Sequence, residues 1–208
     1  METIFLFDLD STVTKQEILP TIAEQIGKQN EMRELTEKTM MGILPFQDSF
    51  TSRVKLLSQI PVSEVADLVS SIEVNEEIVK FLKENRESSF IVTSNLDVWI
   101  EKLMRRIGMD GRYYCSKAKV ENDRIVKIEN ILEKESVQSK LTSRAKIVAI
   151  GDGSNDFDMI RKADIGISFG GVREIAPSLI DISDYSIYNE TKLRKFLTAI
   201  KNGEYQDE

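Results

Sequence analysis

The stretch Thr3-Ile4-Phe5-Leu6-Phe7-Asp8-Leu9-Asp10-Ser11-Thr12 decides how the rest of the chain is read. Its first five residues are mostly large and apolar, and two aspartates and two hydroxyls follow at once. A short apolar run without alternation suits a strand buried on both faces, as in parallel sheets. The polar turn behind it then falls at the carboxyl end of the strand, where open α/β sheets bind ligands. Three more runs, 90–93, 146–150 and 165–168, read as strands of the same kind. Helical patterns accompany them. Residues 76–85 place Ile78, Val79 and Leu82 on one face behind Asn75 as N-cap. Residues 98–107 repeat the pattern with Ile100, Leu103, Met104 and Ile107 before Gly108 stops it. A last helix follows Asn189 with Leu193, Phe196, Leu197 and Ile200. Strands alternating with helices predict an α/β fold with a doubly wound parallel sheet, Rossmann-like in its core.

Too much chain separates the first two strands for one crossover, which needs only a dozen or more residues. The interval reads as consecutive helices near 17–27, 30–41, 46–59 and 63–72, broken at Gly27, at 42–45 and at Pro61. We therefore expect a core from residues 1–13 and 75–208 and an inserted helical cap from 14–74. Residues 113–128 look like a β-hairpin turning at Glu121-Asn122-Asp123, and the tail from Asn202 is expected to fray.

Composition removes several chemistries. The chain has 208 residues, 41% hydrophobic and 30% charged, as soluble globular domains do. It has no histidine, which excludes Ser-His-Asp and Cys-His catalysis and HExxH zinc sites. One cysteine, Cys115, allows neither an internal disulfide nor a Cys-cluster metal site. With 28 basic against 35 acidic residues the net charge is −7 and no basic block stands out, so neither nucleic acid nor membrane is expected as partner. The amino terminus has no basic region before its short apolar run and no stretch reaches the ~20 apolar residues of a membrane span, so a cytoplasmic protein is expected. Any catalysis must rest on carboxylates, Lys, Arg and hydroxyls, with or without a hard cation held by oxygen.

Those groups gather at strand ends. Asp8 and Asp10 follow the first strand, Thr93-Ser94-Asn95 the second, and Gly151-Asp152-Gly153-Ser154-Asn155-Asp156 the third. At one end of a parallel sheet they would crowd four carboxylates, Asp8, Asp10, Asp152 and Asp156, at a cost of order several kcal/mol unless protons or a cation offset it. Mg²⁺ is the simplest remedy. Loop Asp and Gly are common, so each motif alone says little; all three, in this order, say more.

The ordered set Asp8-x-Asp10-x-Thr12, Thr93/Ser94, Lys134 and Gly151 to Asp156 resembles the haloacid dehalogenase-like hydrolase superfamily. Within it the likeness is to the phosphoserine phosphatase branch, through Phe7-Asp8-x-Asp10-Ser11-Thr12, Glu17 nine residues past Asp8, and Arg53-Val54-Lys55-Leu56-Leu57. The resemblance implies Asp8 as the nucleophile that forms an aspartyl-phosphate and Asp10 as general acid and then base, with a raised pKa. It implies Mg²⁺ held by Asp8, the Asp10 carbonyl and Asp152, with Asp156 and Asn155 completing the metal and phosphate surroundings. It also implies phosphate binding by Thr93, the Ser94 amide and Lys134. Lys119, Lys134, Lys140 and Lys146 all lie near the family's lysine; Lys134-Glu135-Ser136-Val137-Gln138-Ser139-Lys140-Leu141 matches its Lys-Gly-Glu-Ile-Leu-Glu-Lys-Ile segment best. Aligning Val92-Thr93-Ser94-Asn95 with Val-Ser-Gly-Gly favours Thr93 over Ser94 as hydroxyl donor.

The implied activity is a Mg²⁺-dependent phosphomonoesterase on a small phosphorylated metabolite, O-phosphoserine first, with Glu17 for its ammonium and Arg53 for its carboxylate. The alternatives are a phosphorylated amino alcohol, a keto-sugar phosphate, or a binding protein on the same fold without turnover. Ser94-Asn95 in place of Gly-Gly, a shorter interval from Lys134 to Asp152, and a loop from Ile167 to Val172 unlike the family's Ala-Lys-Pro bear on substrate identity. Oligomeric state is not written in the sequence.

Overall fold

The structure is a computed structural model that describes residues 2–40, 43–141 and 145–204; the first residue of the break expected at 42–45 falls outside these. Among the described residues one seven-stranded sheet runs in the order β4-β3-β2-β1-β5-β6-β7. Its strands are β1 (Thr3–Phe7), β2 (Ser89–Leu96), β3 (Tyr113–Glu121), β4 (Arg124–Asn130), β5 (Lys146–Gly151), β6 (Ile165–Phe169) and β7 (Tyr185–Ile187). All pairings are parallel except the β3–β4 hairpin. β1 is central, flanked by β2 on one side and β5 on the other. The chain order reverses there, which is the switch point where such sheets form a crevice. The predicted doubly wound α/β fold is therefore the observed one.

Alternation along β1 explains why the sheet is covered on both sides. Phe5 and Phe7 point into one cluster with Ile78, Val79, Phe81 and Leu82 of α5 (Glu76–Glu84), Leu103 of α6 (Asp97–Arg106) and Leu193 and Leu197 of α9 (Glu190–Asn202). Ile4 and Leu6 point the other way, toward Val137, Met159 and Ile160 of α7 (Phe157–Arg161) and Leu179 of α8 (Pro177–Ile180). Phe5 and Phe81 meet edge to face with centroids 5.0 Å apart, an arrangement aromatic quadrupoles favour. Asn189 caps α9 by accepting Lys192 N–H at 3.0 Å, as its sequence position predicts. Asn75 differs from its prediction. It sits at the N-cap of α5, but its side-chain amide donates to the Thr12 carbonyl at 2.7 Å and braces the loop behind β1 instead.

The stretch between β1 and α5 carries the predicted helices: α1 (Ile18–Glu24), α2 (Gln29–Met40), α3 (Phe46–Leu57) and α4 (Val62–Ser71). Three of them turn an apolar face inward: Ile18, Leu19 and Ile22 on α1, Phe50, Val54 and Leu57 on α3, Val65 and Val69 on α4. The two ends of the insertion are tied together: Thr14 and Val74 form an antiparallel bridge, Lys15 N–H donates to Glu73 O at 2.8 Å, and Asn75 N–H to Val13 O at 2.9 Å. α4 is also bound to the sheet side of the molecule. Lys102 on α6 pairs with Asp67 at 2.5 Å, and Arg106 donates to the Ile72 carbonyl at 2.6 Å. Asp123, at the hairpin tip, accepts from Ser63 N–H at 2.9 Å and Ser63 Oγ at 2.6 Å.

Candidate active site

Three loops deliver the polar groups to the carboxyl ends of β1, β2 and β5. Behind β1 the chain makes a wide turn over Leu9–Val13, closed by Thr14 N–H donating to the Leu9 carbonyl at 2.9 Å. Ser11 takes a left-handed φ of 55° there. The turn leaves Asp8 in line with β1, its own N–H bonded to the Ile150 carbonyl of β5 at 2.8 Å. Behind β5, Gly151 is required by close approach: a Cβ on it would lie 2.5 Å from Asp156 Cγ. Asp156 Oδ2 in turn accepts the N–H groups of Asp152 at 3.2 Å and Gly153 at 3.0 Å, which closes the loop on itself.

Asp8, Asp152 and Asp156 thus meet, with one oxygen of each within 4.8 Å of the others. All three are buried, Asp152 and Asp156 completely. Lys134 enters this cluster from the 3₁₀ segment Lys134–Lys140 with only 3% of its surface exposed, far from the solvated lysine its sequence context also allows. Its Nζ donates to Asp8 Oδ1 and, at 2.6 Å, to Asp156 Oδ1. Lys119, by contrast, pairs with Glu121 on the hairpin at 2.8 Å. Burial alone would lower the Lys134 pKa, but Asp156 and Asp8 outweigh it and hold the ammonium charged. Burial and the Asp156 charge push the Asp8 carboxyl well above its ordinary value, against the pull of Lys134. Asp152 is raised to about 6 by burial and Asp156, with Arg173 opposing.

Asp10 lies beside this cluster. Its Oδ1 accepts Ile18 N–H at 2.7 Å, from the first turn of α1, and its Oδ2 accepts from the Asn95 amide. Desolvation raises its pKa although both hydrogen bonds pull the other way. Asn95 also donates to Thr93 Oγ1 at 3.0 Å, so the residue standing where the family has glycine links Thr93 to Asp10. Thr93 and Ser94 are buried at the end of β2. Thr12 Oγ donates to Asp152 Oδ1 at 3.4 Å. Asn155 is exposed on the turn Ser154–Asp156.

Of the two residues expected to read the substrate, Arg53 on α3 donates Nε to the Ser49 carbonyl at 3.4 Å and lies 6.0 Å from the Phe46 ring centroid. Burial lowers its pKa, against the pull of the Asp10 and Glu17 charges. Glu17, at the N-cap of α1, is ion-paired with Arg173, which also donates Nε to Asp152. Arg173 escaped the sequence reading. Its signal was indirect: it directly follows the loop from Ile167 to Val172 that departs from the family pattern.

The donor set suits a hard divalent cation. Three buried carboxylates converge, with Lys134 and Arg173 as their neighbouring counter-charges, and burial first, then the Asp156 charge, raises the Asp8 and Asp152 carboxyls.

Comparison with known proteins gives the same direction. The haloacid dehalogenase-like hydrolase family matches residues 5–161. The phosphoserine phosphatase of Methanocaldococcus jannaschii is 30% identical over 214 residues, covering 95% of this chain and 97% of the relative. That of Archaeoglobus fulgidus is 30% identical over 200 residues, covering 90% of this chain; the chain spans only 57% of that longer relative. Among solved structures, a substrate-bound phosphoserine phosphatase complex is 26% identical with a TM-score of 0.76, covering 94% of this chain and 98% of that one. A phospho-aspartyl intermediate analogue of phosphoserine phosphatase is 25% identical with a TM-score of 0.74 over the same shares.

Proposed function

The chain belongs to the haloacid dehalogenase-like hydrolases and, like its relatives of matching length, is built as a hydrolase of phosphoric monoesters; we propose that it cleaves O-phosphoserine through an aspartyl-phosphate on Asp8, with Mg²⁺ as its metal. The observation that carries the reading is the buried Lys134 held between Asp8 and Asp156, with Asp10 alongside. One oxygen of Asp8 is engaged by Lys134; the other attacks phosphorus, the Asp8 O–P bond forms, and the bond to the substrate oxygen breaks. Asp10 gives its proton to that leaving oxygen. In the second half the same carboxylate takes a proton from water as the water attacks the phosphoryl group, freeing phosphate and Asp8. A raised Asp10 pKa supports this role, because the acid must hold its proton near neutral pH.

Mg²⁺, held by Asp8, the Asp10 carbonyl and Asp152, with Asp156 beside them, would neutralise phosphoryl oxygens as a Lewis acid. Lys134, Thr93, the Ser94 amide and Asn155 would share that charge on the protein side. Residues 14–74 would act as a cap that excludes bulk water and keeps the site to small metabolites. No described helix is long and apolar enough to cross a membrane, and we place the reaction in the cytoplasm.

The test is phosphate release with Mg²⁺ from phosphoserine, phosphoethanolamine and p-nitrophenyl phosphate. Arg53→Ala should lower kcat/KM on phosphoserine by roughly thirty-fold or more, as loss of a charged partner in a closed pocket does, and leave p-nitrophenyl phosphate nearly unchanged. No phosphoserine turnover by the wild type, with good turnover of another ester, would reject the substrate while leaving the chemistry. No turnover of any ester would favour the non-catalytic reading.

A further inference from the structure

Arg173 reaches two carboxylates from different parts of the fold. From the loop between β6 and α8, its Nε donates to Asp152 Oδ2 and its Nη1 to Glu17 Oε1. The Asp152 side chain is wholly buried, whereas that of Arg173 is 41% exposed, so the guanidinium lies on the solvent side of the cluster. Gly153 makes room for it: a Cβ there would stand 2.9 Å from Arg173 Nη2. Both partners are places for a cation. Asp152 is one of the converging carboxylates suited to a metal, and Glu17 is the group proposed for the substrate's ammonium.

We propose that Arg173 is a specificity-determining residue, an internal cation on Asp152 and Glu17 that the metal ion and the substrate's ammonium each displace. Both contacts run through one rigid, planar fork, so a ligand that frees one carboxylate weakens the hold on the other. Metal binding and binding of an amine-bearing ester are thereby coupled, and each tightens the other by the same factor. A phosphomonoester without an amine gains nothing from this coupling. The Asp152 half rests on the ion pair and on the proposed metal at the carboxylate cluster; the Glu17 half rests on the phosphoserine reading.

The experiment is calorimetric titration of Mg²⁺ into the metal-free protein, without substrate. Arg173→Gln should bind Mg²⁺ about tenfold tighter than the wild type, within the usual range of coupling between sites. Arg173→Lys, which keeps the charge but loses the fork, should fall between. In turnover, KM for phosphoserine should fall in Arg173→Gln while KM for phosphoglycolate, which carries a carboxylate and no amine, stays put. Unchanged or weaker Mg²⁺ binding by a folded Arg173→Gln protein overturns the proposal. Should that variant fail to fold, Arg173→Lys decides, and binding no tighter than wild type overturns it equally. A wild type inactive on phosphoserine but active on phosphoglycolate removes the Glu17 half, and the Mg²⁺ titration still decides the Asp152 half.

Discussion

Lys134 shows how much a single buried charge decides. It is enclosed with Asp8 and Asp156, and removing one member of such a group leaves the others uncompensated. Lys134→Met should therefore cost about 3–5 kcal/mol in metal-free protein, read as a lowered Tm, and lose turnover as well. Asp8→Asn tests a different property of the same cluster. An amide is a poor nucleophile, so phosphate release should fall ~10⁴-fold or more; near-normal activity in the verified variant would place the nucleophile elsewhere. Gly151→Ala would act on both at one remove. Its Cβ would meet the Asp156 side chain, which anchors Lys134 and two loop amides, so both Tm and activity should drop, with about 1–3 kcal/mol lost to overpacking. These aspartates and Lys134 could be read from the sequence because each follows a strand or sits in a recognisable segment. Arg173 could not: its partners lie 21 and 156 residues away, and no local spacing announces such a pairing.

At the scale of elements, the insertion is less uniform than its sequence suggests. Helical periodicity marks α1 to α4 alike, because each has one apolar face. What separates α4 is long-range: Asp67 to Lys102, the Ile72 carbonyl to Arg106, and Ser63 to the hairpin tip at Asp123. The tip itself was legible, since Asn122 and Asp123, at φ 48° and 60°, are residue types that tolerate the left-handed conformation of a tight hairpin turn. Its docking onto α4 was not, because it joins positions 60 residues apart. β7 escaped notice for a simpler reason: three residues, Tyr185–Ile187, give no period to read. The ties on α4 bear on how a cap would open. If α4 stays with the sheet, the flexing link lies at 58–61, between α3 and α4. Hydrogen exchange with and without Mg²⁺ and beryllium fluoride should then show protection changing in α1 and α3 while α4 stays constant. A change in α4 that keeps step with α1 and α3 would mean that 14–74 moves as one body.

For the molecule as a whole, the parallel sheet followed from the apolar runs, yet the electrostatic balance did not, because it depends on which carboxylates are buried together. Asp8, Asp10 and Asp152 all have pKa values raised chiefly by burial. In the unfolded chain each returns to its ordinary value near 3.8, so between that pH and the raised value the native state binds more protons. Stability contributed in this way is present at low pH and lost as pH rises; for Asp152 the window runs from 3.8 to about 6. Glu31 beside Lys28, Glu77 beside Arg194 and Asp123 beside Ser63 are shifted downward and act in the opposite sense, but below their ordinary values of 4.5, 4.5 and 3.8. Metal-free protein in chelator should therefore lose Tm between about pH 4 and about pH 7. A divalent cation favours the ionised carboxylates, so Mg²⁺ should raise Tm more at the upper end of that range than at the lower. The net charge of −7 adds self-repulsion that also grows with pH, and Asp152→Asn separates the two causes. The variant changes the overall charge by a single unit but removes one buried titrating group, so its Tm in chelator should fall visibly less with pH than the wild type's. Equal slopes for the two proteins, or a Mg²⁺ shift independent of pH, would mean that the buried cluster does not govern the acid–base stability of the fold.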